Sequence, residues 1–243
     1  MPEVLNLPMP DERSISPNSG YRFDEKDWPR LSQNWNACVD ITLQPKGETT
    51  LKLWACDVPT HKDDDRTRSF LTNICKIADM DIANFTSSSQ ELENWFRSHP
   101  RGYIDEKLTL KKVAHSWDLL LRLRLICDVA IIMWANSPNN PLTKHAKMDS
   151  IRDLLDDAQA VSALDIGDGA RAFLTILNEA ANRIKHPSEV TDWIRLDADG
   201  EILIFRKKIQ HPIAQPVRDL VLGTNCFLVT LLENIKVKPY RAS

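Results

Sequence analysis

The chain has 243 residues, a formal net charge of −3 and 27% charged residues. Such a balanced charge excludes a protein-wide positive field for nucleic acid, so any contact of that kind has to be local. The five cysteines are scattered and include no C-x-x-C pair, which indicates free, mostly buried thiols in a reducing compartment.

The N-terminal residues predict an extended arm. They contain no basic stretch followed by an apolar run, so they do not resemble a secretory signal, and a cytoplasmic location is the simplest expectation. The prolines within this stretch disfavour regular structure, and they are Pro2, Pro8, Pro10 and Pro17.

Residues 35–58 predict a β-hairpin. Two β-prone runs, at 38–43 and 49–56, flank a turn cluster at 45–48. Cys38 and Cys56 lie on opposite arms of this hairpin, so a disulfide between them is the alternative to free thiols.

Two short helices are predicted after the hairpin. The first covers residues 67–77 and follows three aspartates, which suit the positive end of the helix dipole. Ser88 and Glu91 have the spacing of a capping box, so a second helix is predicted from there to about Ser98, where Pro100 and Gly102 follow.

The longest predicted helix runs from about Asp105 to about Ala135, roughly 45 Å at the usual rise per residue. From Trp117 to Trp134 it is apolar on almost all sides, which is typical of a helix surrounded by others. His115, in the same helix, has no second ligand at metal-binding spacing and is expected to be an ordinary surface or core histidine.

Four charges interrupt the apolar surface of this helix and exclude a membrane span. Asp118 and Arg122 are four residues apart, as are Arg124 and Asp128, so each pair is predicted to form an ion pair along the helix. Structural pairs are the preferred interpretation. Participation in a site with polar residues of a later helix is the alternative.

Residues 136–148 are predicted to form a loop that is the most basic local patch of the chain. It contains two prolines and three basic groups, Lys144, His145 and Lys147. A solvated connector is the preferred interpretation. The next helix is predicted to start at Asp149 or Ser150, because a start at Thr143 would place these basic groups against the helix dipole. Ser150 and Asp153 can cap the later start.

Residues 167–186 predict an amphipathic helix with an unusual polar side. Its apolar stripe contains Phe173, Leu174, Leu177, Ala180, Ala181 and Ile184. The opposite stripe is polar without Asp or Glu, and it contains Arg171, Thr175, Asn178, Asn182, Lys185 and His186. Pro187 places the last two in the final turn, where the dipole favours cations. A well-capped helix is the preferred interpretation, and a functional polar seam is the alternative.

A second hairpin is predicted at residues 193–205 around an Asp-Gly turn, and a closing helix from Pro216 to about Lys236. The predicted fold class is therefore mainly α, a helical bundle with a long central helix plus two β-hairpins. Residues 1–104 are predicted to form an N-terminal arm, a hairpin and two short helices. Residues 105–243 are predicted to form the bundle with an inserted hairpin.

The order of elements over residues 105–238, with one helix ending in Asn182-Arg183-Ile184-Lys185-His186, resembles the HEPN (higher eukaryote and prokaryote nucleotide-binding) superfamily of helical bundles. The resemblance implies a dimer, and many members are metal-independent ribonucleases of toxin or antiviral systems. Their signature is an Arg followed after four to six residues by a His, whereas only two residues separate Arg183 from His186 here. The resemblance therefore favours the non-catalytic relatives, which serve in dimerisation or RNA contact.

Two functions are expected from this resemblance. The first is a non-catalytic or weakly catalytic interaction module that binds a second copy, a protein partner or RNA, with contacts from Arg171, Asn178, Arg122, Arg124 and Asp128. The alternative is a metal-independent endoribonuclease. There, His186 would act as general acid or base, Arg183 or Lys185 would stabilise the phosphorane, and Asn182 would be a polar helper. No phosphate-binding loop or H-E-x-x-H motif occurs in the sequence, and we expect no cofactor, metal or membrane partner.

Overall fold

The structure is a computed structural model, and it describes residues 39–43, 49–53, 64–99, 105–137, 148–185, 194–196, 202–204 and 213–235. Within these ranges the chain forms the helices α1 (Asp64–Ser98), α2 (Glu106–Ala135), α3 (Ile151–Asp156), α4 (Ala158–Ala163), α5 (Asp168–Lys185) and α6 (Val217–Ile235). It also contains the short strands β1 (Val39–Leu43), β2 (Thr49–Leu53), β3 (Ile194–Leu196), β4 (Ile202–Ile204) and β5 (Ile213–Gln215). Helices dominate, so the mainly α fold class is confirmed.

The strands pair in two antiparallel groups. β1 pairs with β2, with Val39 opposite Leu53, and β4 pairs with both β3 and β5. The turns of the two predicted hairpins, at 44–48 and 197–201, lie outside the described residues, as does the predicted N-terminal arm. The hairpins therefore stay predictions.

α2 is the central helix, and its predicted bounds are confirmed. Asp105 caps its first turn, because its carboxylate accepts a hydrogen bond from the Leu108 N–H at 2.9 Å. The helix packs against α1, α3, α5 and α6. Its most deeply buried side chains include Leu123, Ile126, Cys127 and Ile131, each fully enclosed.

The region before α2 forms one helix and not the two short helices that the sequence predicts. α1 continues without a break through the serine run, so the predicted capping box is wrong. The buried Ser88 hydroxyl donates to the Phe85 carbonyl at 2.9 Å, and Glu91 accepts from Lys111 on α2 at 2.7 Å. The helix persists because one face stays apolar and packs on α2, at Leu71, Ile74, Cys75, Ala78, Ile82 and Phe85.

The buried residues of α1 belong to the same hydrophobic cluster as those of α2, α5 and α6. The predicted division of the chain between residues 104 and 105 stays a prediction. Among the described helices, none combines the length and the apolar character that crossing a bilayer requires.

The short helices α3 and α4 connect α2 to α5. Ser150 caps α3 as predicted, with its hydroxyl accepting from the Asp153 N–H at 3.3 Å. Asp157 then ends α3 and caps α4. The chain leaves α4 through Asp165, whose φ of 52° lies in the left-handed region, and the Ile166 N–H donates back to the Val161 carbonyl. This is a Schellman ending with Asp in the place that usually holds Gly.

α5 and α6 bury the apolar stripes that the sequence predicts. They come close together at Gly223, where a Cβ atom would lie only 2.8 Å from Cδ2 of the fully buried Phe173 ring. Glycine at this position therefore lets the aromatic ring lie directly against the α6 backbone.

Cys75, Cys127 and Cys226 are free and buried, as predicted, whereas Cys38 and Cys56 lie outside the described residues. Burial raises the pKa of the Cys75 thiol to about 12, and it also raises the pKa of Cys127. Both thiols therefore stay protonated and unreactive at neutral pH.

Candidate functional site

Three helices meet at a polar cluster around Arg124 of α2. Arg124 Nη1 donates to Asn182 Oδ1 on α5 at 2.6 Å. Arg124 Nε lies 3.1 Å from Asp128 Oδ2, one turn further along α2. Asp128 Oδ1 accepts from the backbone N–H of Ile151, the first residue of α3, at 2.9 Å. We call Arg124, Asp128, Asn182 and the neighbouring Asn178 the α2–α5 junction.

The two charges of the junction lie largely away from water. The side chain of Arg124 is 11% exposed and that of Asp128 is 16% exposed, so the predicted pairing of these residues is confirmed. The Nε–H of Arg124 is not aligned for a hydrogen bond to the carboxylate, so this contact is an ion pair without a directional bond. The directional bond of Arg124 goes to Asn182, and bonds from a charged donor are among the stronger ones.

Burial raises the pKa of the Asp128 carboxyl above its ordinary value. The hydrogen bond from Ile151 and the charges of Arg124 and Lys185 act in the opposite direction, but desolvation is the larger effect. The carboxylate is therefore held where its charged form is disfavoured and where its oxygens are already used by α2 and α3.

Three residues of the predicted polar stripe of α5 lie near this junction. Asn182 Nδ2 donates a long hydrogen bond of 3.4 Å to Asn178 Oδ1, so both ends of the Asn182 amide have partners. Lys185 is exposed in the last turn and close enough for its charge to lower the pKa of Asp128. This part of the stripe therefore contacts α2 through Asn182 and faces solvent at Lys185.

The structure describes three of the four residues predicted for catalysis. His186 lies outside the described residues. Arg183 is half-buried and Lys185 is exposed, both in the last turn of α5. Asn182, the predicted polar helper, is bound to Arg124. The catalytic set of His186 with Arg183 and Lys185 therefore stays a prediction.

Arg122 has a different partner from the one that the sequence predicts. Its Nε donates to Asp81 Oδ2 on α1 at 3.1 Å, and not to Asp118, which is exposed on α2. The prediction of an Asp118 pair is wrong because the neighbouring helix brings a less exposed carboxylate to Arg122. We call Asp81 and Arg122 the α1–α2 bridge. It lies on the opposite flank of α2 from the junction, since Arg124 contacts α5.

Arg171 lies far from the junction, about three turns earlier on α5. It lines an open cleft of about 520 Å³ between α3, α4 and the start of α5, together with Asp156, Ser162 and Asp165. The predicted binding residues therefore fall in three places: the cleft, the bridge and the junction.

Within the part of the chain that the structure describes, no group of three or more His, Cys, Asp or Glu side chains could hold a metal ion. His115 Nδ1 lies 2.9 Å from the Asn84 carbonyl oxygen of α1, which gives the ring a structural contact between the two helices.

Sequence reasoning missed two partners of the predicted residues, Asp81 and the Ile151 N–H. Asp81 precedes Arg122 by 41 residues, so no local spacing reveals the contact. The available signal was the apolar periodicity that continues through residues 74–85, which marks one long helix beside α2.

A scan against protein-family models and searches of curated proteins and of solved structures found no match to this chain.

Proposed function

We propose that this chain is a HEPN-like helical interaction module, non-catalytic or weakly catalytic, that acts as a homodimer in a toxin or antiviral defence setting. The observation that supports this most directly is the Arg124–Asn182 hydrogen bond. This bond occupies the side-chain amide of Asn182 in a contact between α2 and α5. In the ribonuclease alternative the same amide would assist His186.

Catalysis by polar groups depends on donors and acceptors that are aimed at the reacting atoms. In the junction these atoms are aimed at one another. Asn182 Oδ1 accepts from Arg124, Asn182 Nδ2 donates to Asn178, and the oxygens of Asp128 contact Arg124 and Ile151. Such a closed set fixes the positions of α2, α3 and α5, as a rigid binding scaffold requires.

The second candidate function is a metal-independent endoribonuclease. Lys185 favours it, because this exposed cation lies in the last turn of α5 directly before His186 in sequence, where it can reach a phosphate. In this alternative His186 is the general acid or base, and Arg183 or Lys185 stabilises the phosphorane.

The test is RNA cleavage by the purified protein in EDTA, with a mixed pool of single-stranded and structured RNA. The substitution His186→Ala is compared with His99→Ala, a matched change at an exposed histidine that stacks on Trp95 at the end of α1. We expect at most weak cleavage by the wild-type protein and by both variants. Efficient cleavage that is lost in His186→Ala, kept in His99→Ala and accompanied by an unchanged Tm would overturn the module in favour of the ribonuclease.

A further inference from the structure

Among the residues whose side chains the structure describes, the large hydrophobic ones that are exposed all lie on α1 and α2. They are Phe70, Ile77, Met80, Leu110, Trp117 and Leu125. Single exposed apolar residues are common on any protein surface, but a group confined to two adjacent helices is typical of an interface.

Five apolar residues of α2 form a row along one side of the helix. The members are Leu110, Ala114, Trp117, Leu121 and Leu125, with spacings of three or four residues. Leu110 is 60% exposed and Trp117 is 39% exposed, whereas the buried face of the same helix points at α1, α5 and α6. We call these five residues the apolar row, and its length is about 22 Å.

The apolar row reads nearly the same in both directions along the helix. Its midpoint lies between Trp117 and Asp118, and Leu110 and Leu125 are equally far from that point. Ala114 and Leu121 are also equally far from it. A two-fold axis through the midpoint therefore places Leu110 opposite Leu125 of a second copy, and the small Ala114 opposite the larger Leu121. Pairing a small residue with a large one suits two helices packed 8–10 Å apart.

We propose that the apolar row is the contact between two copies of this chain, with their α2 helices antiparallel about an axis between Trp117 and Asp118. The proposal rests on the proposed homodimeric module and names the surface that forms its dimer.

The α1 helix widens this surface beyond a single helix. Ile77 lies one turn before Asp81, and Leu125 lies about one turn after Arg122, so exposed apolar residues border the α1–α2 bridge on both helices. A standard interface removes about 800 Å² of surface from each partner. One row on one helix is narrow for that area, so the proposed dimer surface also includes the exposed apolar residues of α1.

The two-fold axis also predicts an unfavourable contact. Asp118 is exposed beside the midpoint, so it lies close to Asp118 of the second copy, and like charges that face each other weaken association. Asp118→Asn is therefore expected to lower the dissociation constant of the dimer. An Asp118→Lys chain is expected to associate with the wild-type chain more tightly than with itself.

The first experiment measures the dissociation constant of the full chain by sedimentation equilibrium. Trp117→Lys, at the centre of the row, is expected to raise it by at least about thirtyfold, and Leu110→Lys, at the end of the row, by at least about tenfold. The matched control is Ala172→Lys, at an exposed position of α5, which is expected to change it less than about threefold. Thermal unfolding of each variant shows whether the fold is retained.

The second experiment tests the register with a short bismaleimide cross-linker in a Cys38→Ser, Cys56→Ser background, where the described native cysteines are buried. Trp117→Cys is expected to cross-link to itself. Leu110→Cys alone is not expected to cross-link, because its two copies would be about 22 Å apart. A mixture of Leu110→Cys and Leu125→Cys is expected to cross-link.

Three results would overturn the proposal: a monomer at all concentrations, a dimer that Leu110→Lys and Trp117→Lys leave unchanged, or Leu110→Cys chains that cross-link to themselves. Failure of the non-catalytic part of the proposed function is separate. RNA cleavage that depends on His186 rejects the non-catalytic module and leaves the dimer surface intact, whereas a monomer without cleavage rejects only the dimer and its surface.

Discussion

α2 carries two arginines, two residues apart, that pair with aspartates in different surroundings. The N···O distance is 3.1 Å in both the α1–α2 bridge and the α2–α5 junction. The Arg122 side chain is 31% exposed in the bridge, whereas that of Arg124 is 11% exposed in the junction. Equal distances therefore do not imply equal contributions to stability, because burial and the neighbouring hydrogen bonds decide what is lost when one partner is removed.

The largest expected difference between the two pairs comes from removing the carboxylate. Asp128→Ala leaves the Arg124 charge enclosed and takes away the acceptor of the Ile151 N–H, so we expect a loss of about 3 kcal/mol in the free energy of unfolding. Asp81→Ala leaves Arg122 at a position that water reaches, and we expect at most about 1 kcal/mol. Urea denaturation of both variants at neutral pH measures the difference. Equal losses would contradict the distinction between the two pairs.

The next effect concerns the amide of the junction. Asn182→Ala removes the acceptor of the 2.6 Å bond from Arg124, and we expect a loss of about 2 kcal/mol, as for hydrogen bonds to charged groups. Asn178→Ala removes only the 3.4 Å contact and is the matched control, with an expected loss of about 0.5 kcal/mol. Urea denaturation ranks the two variants. The reverse ranking would show that Asn182 is not the main polar link between α2 and α5.

A smaller effect follows from the raised pKa of Asp128. Because the folded state holds this proton more tightly than the unfolded state does, the associated stability is present below the ordinary carboxyl pKa of 3.8 and is lost as the pH rises through the raised value. Asp128→Asn resembles the neutral form and keeps an acceptor for Ile151. We therefore expect it to lower the free energy of unfolding at pH 7 by less than Asp128→Ala does, and to flatten this component of the pH dependence. Unfolding measured from about pH 3.5 to pH 7 gives the comparison. An unchanged slope would assign the pH dependence to other groups.

The smallest expected effect is on the contact between Glu91 of α1 and Lys111 of α2. Its contribution to stability changes with pH in the opposite direction from that of Asp128. The hydrogen bond from Lys111 lowers the pKa of the exposed Glu91 carboxyl, so its contribution is present above the ordinary carboxyl pKa and is lost as the pH falls. Glu91→Gln is expected to lower the Tm slightly at low ionic strength and not at about 1 M salt, where the ion pair is screened. A loss that persists at high salt would show that this contact is not mainly electrostatic.

The helices that were predicted well are those whose local pattern agrees with their packing. The bounds of α2, α5 and α6 follow from apolar periodicity, because each of these helices buries apolar residues of the stripe that the sequence marks. The sequence predicts α1 as two pieces because Ser88 and Glu91 have the spacing of a capping box. Packing on α2 overrides that local preference, and the hydroxyl of Ser88 turns back to the Phe85 carbonyl of its own helix.

The site was predictable only where its contacts are local. The Arg124–Asp128 pair follows from a spacing of four residues. The Arg124–Asn182 bond spans 58 residues and the Arg122–Asp81 bond spans 41, so both depend on how helices pack and not on a periodic pattern. The absence of acidic residues from the polar stripe was a real signal that part of this side of α5 faces another helix.

The contact between Phe173 and Gly223 has a consequence for how this sequence can vary. A larger residue at 223 needs a smaller one at 173, because a Cβ atom there would lie 2.8 Å from the ring. Either change made first is expected to be unfavourable, since one overfills the space between α5 and α6 and the other leaves it empty. The two positions are therefore expected to co-vary, so that related chains keep both residues or exchange both together.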